Sequence, residues 1–433
     1  MDIKDIEVTQ NYKDVLGFLD AGVPAIFISG KAGTGKSTLI KWLQSGILKK
    51  NIVTVAPTGV AALNIGDATT IHSFFRFPPR FILPEDIKQV YDRVYKKMDI
   101  LIIDESSMLR SDMCDGIDLF LKKNGPDESR PFGGVQVIFV GDLYQLPPIV
   151  SPSEKNLFLK YSTPFFFSAD VFKDIKLTHI ELDKIYRQSD TGFTDILNNL
   201  RVGEHIAESL GKINQLCVKP KPENELCVTL ATTNAIADEV NHYEMNRLPG
   251  ETFTFIGEIN GNIKENNLPV PMILKLKAGA RVMFVRNDPE KRYCNGTVGI
   301  VDTIDKKHIK VKLSDGEILS VEKAEWGNYR FDTGDDGRVI PKRSGSYVQI
   351  PLILGWSITI HRSQSKTLES IFLDTGTGSG AFAPGQIYVG LSRCTTIEGL
   401  HLKRPIRVSE IKVDARITAF FKSLNQKDLS HIL

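Results

Sequence analysis

The run Gly30-Lys31-Ala32-Gly33-Thr34-Gly35-Lys36-Ser37 constrains this chain more than any other feature. It satisfies the spacing G-x-x-x-x-G-K-[ST], and its flanks agree. Ala25-Ile26-Phe27-Ile28-Ser29 precedes it, a short apolar run with the character of a buried strand. Thr38-Leu39-Ile40-Lys41-Trp42-Leu43 follows, with Leu39, Ile40 and Leu43 at helical spacing. Strand, glycine-rich loop and helix together form a cradle for a polyphosphate. The glycines let backbone N–H groups turn inward, and the helix N-terminus adds partial positive charge. Gly33, Thr34, Gly35, Lys36, Ser37 and Thr38 would wrap the phosphates. The Lys36 ammonium would reach the β- and γ-phosphates, and the Ser37 hydroxyl would hold Mg²⁺.

Such a loop belongs to a parallel sheet covered by helices, and residues 1–180 carry that rhythm. Apolar strands are expected at Ala25–Ser29, Ile52–Ala56, Ile100–Asp104 and Val135–Val140, separated by helical stretches. A second such rhythm begins at Leu226–Ala231 and resumes at Ile371–Asp374. Between them the turn signals Asn295-Gly296 and Asp315-Gly316 punctuate runs such as Arg281–Val285 and Lys310–Leu313, a hairpin pattern. The expected fold class is α/β, in three parts. Residues 1–180 form a first domain, residues 181–245 and 345–433 a second, and residues 246–344 an inserted all-β module. Tyr329 to Ser346, rich in Gly, Asp and Arg, reads as a loop. A chain of 433 residues is long enough to bury several such cores.

Net charge is only +2, so any groove for a polyanion must be basic locally. The five cysteines are scattered, with no C-x-x-C pair, which argues against a disulfide framework or a zinc site. That pattern favours a reducing, cytoplasmic compartment. The N-terminus has neither the basic nor the apolar region of a signal peptide, and no 18-residue apolar run exists, so no membrane partner is expected.

Ile100-Leu101-Ile102-Ile103-Asp104-Glu105 reads as a buried strand ending in two acids, the second half of a nucleotide site. Asp104 would hold Mg²⁺ through water, and Glu105 would polarise an attacking water. Val137–Asp142 is a further strand, running into Leu143-Tyr144-Gln145-Leu146-Pro147-Pro148. A neutral amide at such a strand end can report a γ-phosphate, and Gln145 is the candidate. Arg187, in Tyr186-Arg187-Gln188, and Arg393, ending Tyr388-Val389-Gly390-Leu391-Ser392-Arg393, are candidate arginine fingers.

Taken together, these segments resemble superfamily-one DNA helicases of the Pif type (petite integration frequency), relatives of RecD-type enzymes. The carrying residues are Gly30–Ser37, Ala56–Gly66 with Thr70–Phe74, Asp104–Met108, Arg130–Gly134 leading into Gly141–Pro148, Tyr186–Gln188, His361–Gln364 and Tyr388–Arg393. They occur in the family's order over nearly the whole chain. The resemblance implies two RecA-like P-loop NTPase domains with ATP and Mg²⁺ in the cleft between them, and an insert of Src-homology-type barrel form. It implies 5′→3′ movement on single-stranded DNA, with Gln10 reading adenine and Arg187 and Arg393 reaching across from the second domain. A duplex-splitting wedge is expected at residues 74–84, where Phe77 and Phe81 could stack on an end base pair. Matched DNA contacts are Pro57, Thr58 and His72 on the first domain and Thr233, Asn234, Thr359, His361 and Arg362 on the second. Single-stranded DNA, single-strand/duplex junctions and G-quadruplex DNA are the partners it suggests, for a monomeric or weakly associating enzyme. The absence of a large appended domain suits a bacterial or phage protein associated with the nucleoid. Two positions depart from the family pattern: Ser365 and Gly390 stand where Gly and Ala are usual. An RNA helicase and an ATP-gated binding module without productive unwinding remain alternatives, because no motif reads a 2′-hydroxyl.

Overall fold

Six buried strands form the first sheet: β1 (Ala25–Gly30), β2 (Ile52–Ala56), β3 (Thr69–Thr70), β4 (Ile100–Ile103), β5 (Gln136–Gly141) and β6 (Thr178–Leu182). The structure is a computed structural model that describes residues 7–65, 67–187, 190–222, 226–261, 263, 268–288, 290, 292–333, 339–364, 366–377 and 380–429. All six strands run parallel in the order β3-β2-β4-β5-β1-β6. Their near-continuous apolar runs follow from burial on both faces. Phe27, Val53, Leu101 and Val137 point into one core; Ile26, Ile28, Ile100, Ile102 and Ile138 point into the other. Helices α1 (Gln10–Asp20), α2 (Lys36–Trp42), α3 (Gly59–Ile65), α4 (Ile71–Phe74), α5 (Arg93–Lys97) and α6 (Ser111–Asn124) belong to this part of the chain. Because β4, β5 and β1 are neighbours, the loops after them meet at one edge. Those loops carry Asp104-Glu105, Asp142–Gln145 and the glycine-rich run.

The second α/β part contains α7 (Thr191–Val202), α8 (Ile206–Cys217), β7 (Val228–Ala231) and α9 (Asn234–Arg247). The insert follows, with β8 (Phe253–Ile256), β9 (Glu258–Gly261), β10 (Ile273–Leu276), β11 (Arg281–Phe284), β12 (Val298–Ile304), β13 (Ile309–Leu313), β14 (Ile318–Val321), β15 (Ala324–Thr333), β16 (Val339–Gln349) and β17 (Leu352–Leu354). The chain then returns through β18 (Ser357–Thr359), β19 (Ile371–Asp374), α10 (Gln386–Leu391), β20 (Leu400–Leu402) and α11 (Ala415–Leu429). Strands β18-β7-β19-β20 form a parallel sheet. The insert is antiparallel, built on the five-stranded order β14-β13-β12-β11-β17. Its turns carry Gly296 at φ 105° and Gly316 at φ 89°, as Asn-Gly and Asp-Gly hairpins require.

Four expectations are corrected. Tyr329 to Ser346 is not a loop: its described residues lie in β15 and β16, a long antiparallel ribbon. Phe331, on that ribbon, is buried in the first-domain core and meets Phe74 edge-on at 5.7 Å. The insert extends past residue 344, because β17 pairs with β11. The last helix lies on the first part of the molecule and not on the second. Ile417 joins the first core, Phe420 stacks on Phe167 at 4.0 Å, and Phe421 stacks on Tyr144 at 5.5 Å. In the expected wedge, Phe77 and Phe81 are buried, so neither ring is free to stack on a base pair. Arg80, between them, is exposed and salt-bridged to Asp86 at 2.6 Å.

Candidate active site

A cleft of about 710 Å³ lies at the edge where the three loops meet. Gly33, Thr34, Gly35, Lys36, Ser37, Thr38, Asp104, Glu105 and Gln145 line it from the first domain, and Arg187 and Arg393 from the chain beyond β6. Gly33 and Gly35 both sit at φ 83°, the left-handed region that glycine enters without strain. A Cβ on Gly33 would fall 2.4 Å from Arg187 Cβ, so the glycine also permits the close approach of the segment carrying that arginine. Tyr186 N donates to Gly33 O at 2.9 Å, tying the two segments together. Lys36 Nζ donates to Gly30 O at 2.6 Å and Lys31 O at 2.8 Å, carbonyls that a polyphosphate would replace. Burial holds the Lys36 ammonium below its ordinary pKa.

Asp104 is buried, and burial together with the Glu105 carboxylate pushes it up to about 7. A buried carboxylate with a second acid beside it calls for a cation. Ser37 lines the same cleft, so a hydroxyl and a carboxylate are both available there. Among the described residues no group of three or more His, Cys, Asp or Glu side chains gathers. That sparse donor set fits Mg²⁺, which takes one or two protein ligands alongside phosphate oxygens and water. Glu105 occupies a left-handed backbone conformation, φ 50° and ψ 42°.

Arg393 is fully buried and Arg187 half-buried. Arg187 Nη1 donates to Ser392 O at 3.4 Å. Arg393 donates to Val389 O at 2.9 Å, Lys366 O at 3.3 Å and Ser392 Oγ at 2.9 Å. Burial, with Arg187 nearby, pushes Arg393 down to about 9. Two desolvated guanidinium groups facing one cleft suit a polyanionic ligand.

Other residues of the site escaped the sequence reading. Asp142 is buried and salt-bridged to Arg201 of α7 at 2.9 Å. Burial raises Asp142, but Arg201 and Lys36 outweigh it and hold the carboxyl below its usual range. Tyr388 of α10 donates to Asp142 Oδ2 at 3.2 Å and accepts from Ala32 N at 3.1 Å. A domain-spanning hydroxyl therefore holds the phosphate loop itself. Tyr12 and Tyr186 also line the cleft. Gln10 does not: it is the first residue of α1, exposed, and donates to Asp14 at 2.8 Å, so an adenine-reading role has no geometric support here.

The candidate DNA contacts gather at the carboxyl ends of parallel strands, where open α/β sheets bind ligands. Pro57 and Thr58 follow β2, with Thr58 Oγ1 accepting from Ala61 N at 3.2 Å. His72 is half-buried on α4, beside them through the β2–β3 pairing. Thr233 caps α9, its Oγ1 accepting from Ile236 N at 3.4 Å, and Asn234 is exposed. Thr359 is buried and caps the following turn by accepting from Arg362 N at 3.2 Å, so its side chain is structural. His361 is half-buried and Arg362 exposed. Ser365 lies outside the described residues.

Two RecA-like sheets, a phosphate loop and arginines supplied across the cleft define a two-domain P-loop NTPase. A model for PIF1-like helicases matches residues 11–210, and one for the 2B domain of DNA helicase Pif1 matches residues 258–304. The chain is 30% identical to the ATP-dependent DNA helicase Pif1 of Bdellovibrio bacteriovorus, over 98% of this chain and 93% of that protein. It is 29% identical to the ATP-dependent DNA helicase PIF1 of Emericella nidulans, over 92% of this chain and 61% of that longer protein. Bacteroides Pif1 in complex with ADP-AlF4 superposes with a TM-score of 0.87 at 32% identity, covering 98% of both chains. Bacteroides Pif1 bound to ssDNA superposes at 0.70 with 33% identity, again covering 98% of both. The chain belongs to the PIF1-like helicase family.

Proposed function

We propose that this chain is an ATP-dependent DNA helicase that moves 5′→3′ on single-stranded DNA and couples Mg-ATP hydrolysis to duplex unwinding. The observation that carries this reading is the meeting of Lys36, Glu105, Arg187 and Arg393 on one cleft. Phosphoryl transfer gains most from cations on the transferring group, and fingers from a separate domain make hydrolysis depend on closure. Lys36 and the amides of Gly33 to Thr38 bind the phosphates. Ser37 and Asp104 would hold Mg²⁺, which would supply neutralisation of the phosphate charge. Glu105 takes a proton from the attacking water, and Gln145 reports the terminal phosphate. Arg187 and Arg393 stabilise the charge that develops on transfer.

The DNA assignment draws on the relatives, whose printed descriptions name DNA helicases and a single-stranded DNA complex. Pro57, Thr58, His72, Thr233, Asn234, His361 and Arg362 then form a track across both sheets, in which hydroxyl, amide, imidazole and guanidinium groups suit sequence-independent phosphate contact. Junctions and G-quadruplexes are substrates of the same activity. That none of the five cysteines is in a disulfide supports a reducing, cytoplasmic setting. Among the described residues no helix is long and apolar enough to cross a membrane.

ATP hydrolysis with and without single-stranded DNA, followed by unwinding of 5′-tailed and 3′-tailed duplexes, tests the reading. Strong DNA stimulation and selective unwinding of the 5′-tailed substrate are expected. Stimulation by RNA alone would favour an RNA helicase. Nucleotide-dependent DNA binding without hydrolysis would mark a clamp.

A further inference from the structure

Gln364 reaches across the cleft from the second domain. It sits in the tight turn after β18, next to Ser363, which is fully buried. Ser363 pins that turn, its N donating to Thr359 O at 3.0 Å and its Oγ to Ile360 O at 2.7 Å. The exposed Arg362 and half-buried His361 occupy the same turn. The Gln364 side-chain amide donates to Glu105 Oε2 at 3.0 Å and to Gln145 Oε1 at 3.3 Å. One amide thus engages both the group placed to activate water and the group placed to sense the terminal phosphate. Gln145 is held at its other end too, its Nε2 donating to Asp142 Oδ2 at 3.4 Å. In this pose both ends of the Gln145 amide are engaged by protein groups. A donor on Glu105 Oε2 competes with water for the same oxygen, which hinders its work as a base.

We infer that Gln364 is a positioning residue that couples the DNA track to hydrolysis. Without DNA it holds Glu105 and Gln145 in a resting pose. A strand gripped by His361 and Arg362 displaces the shared turn and withdraws the amide. Ser363 is bonded to Thr359 and Ile360 of the same segment, which makes the turn one stiff piece, so a shift at its exposed residues carries Gln364 with it. This inference rests on the reading of the cleft as a DNA-stimulated ATPase site.

Gln364→Met keeps side-chain length and removes both N–H donors; Gln364→Leu removes them with a shorter, branched chain. Turnover of ATP by the 433-residue chain is measured with and without saturating single-stranded DNA, alongside KM for ATP and DNA affinity. DNA-free kcat should rise about tenfold or more, the size of a lost hydrogen bond to a charged group. KM and DNA affinity should stay within about twofold, so that the stimulation ratio collapses. A merely structural role would move KM, DNA affinity or Tm and leave the ratio intact. A preserved ratio in both variants, or a parallel fall of basal and stimulated rates, would overturn the inference. A parent protein whose hydrolysis ignores DNA would instead sink the underlying reading, a result seen before any variant is made.

Discussion

Glu105 carries a backbone conformation that costs a non-glycine residue about 1–2 kcal/mol, at φ 50° and ψ 42°. Strain of that kind survives where the surroundings hold the residue in place, and here it turns the carboxylate from the end of β4 into the cleft. Glu105→Gln should bind ATP at near-parent affinity while turnover falls by at least about 100-fold, the usual scale for a lost general base. Single-turnover hydrolysis and equilibrium nucleotide binding separate the two effects, and a parent-like rate would remove Glu105 from the mechanism. Gly390 poses a different question, because the family pattern has alanine there. It lies inside α10, and a Cβ would meet Leu373 Cδ1 at 3.3 Å and Ile360 Cδ1 at 3.5 Å. The first contact is tight, but it falls on the end of a flexible side chain. Alanine also gains roughly 0.5–1 kcal/mol over glycine in a helix interior. Gly390→Ala should therefore leave stability unchanged or raise it by up to about 1 kcal/mol, as a melting curve would show. A loss greater than that would mean Leu373 cannot give way.

At the scale of elements, α10 is the link between the two halves. Its Tyr388 hydroxyl joins Ala32 of the phosphate loop to Asp142 after β5, and Asp142 is paired with Arg201 of α7. Arg201 in turn lies over the Tyr144 ring at 4.6 Å, and Tyr144 stacks on Phe421 of α11. Tyr388→Phe removes one hydroxyl and leaves a buried N–H and a carboxylate lone pair without it. The expected cost is about 1–3 kcal/mol, read as a lower urea midpoint at unchanged slope. An unchanged midpoint would mean that water replaces the hydroxyl without loss. The core strands of both sheets were legible in the sequence because burial on two faces leaves unbroken apolar runs. The β15–β16 ribbon was not. Its Gly, Asp and Arg content reads as a turn, and what holds it extended is pairing to a partner strand and burial of Phe331.

For the whole molecule, the insert is seated on the second domain beside the nucleotide cleft. Lys366 donates to Asn295 of the insert turn, and a Cβ on Gly296 would fall 2.8 Å from Thr367 O. Lys366 is buried, and burial together with Arg362 pushes its pKa down to about 8 from 10.5. Its folded pKa is thus below its unfolded one. Holding the charge costs stability in full below pH 8, and the cost fades as pH rises from about 8 towards 10.5. Lys366→Met should then be more stable than the parent at pH 7, by on the order of 1–3 kcal/mol, less whatever the lost Asn295 bond contributed. Denaturant melts at pH 7 and pH 9.5 should show the gap narrowing at the higher pH. A gap that widens would mean the ammonium is stabilised in place.

The sequence by itself determined the phosphate loop, the acid pair, the order of the motifs and the family, because each is written in spacing along the chain. It also placed most of the cleft, since Gly33 to Thr38, Asp104 and Gln145 lie on loops after neighbouring strands. Beyond the two arginines, only the tertiary structure decided what crosses between the halves. Gln364 and Glu105 are 259 positions apart, and Tyr388 and Ala32 are 356 apart. No local pattern encodes such pairs, and they exist because the two α/β parts meet across the cleft. Packing within the first domain likewise buries Phe77 against Phe75 and Phe120 and Phe81 against Phe158, while α11 returns to that same domain and Gln10 stays outside the cleft. Each of those outcomes depends on which surface covers a residue, and that is set by packing and not by composition.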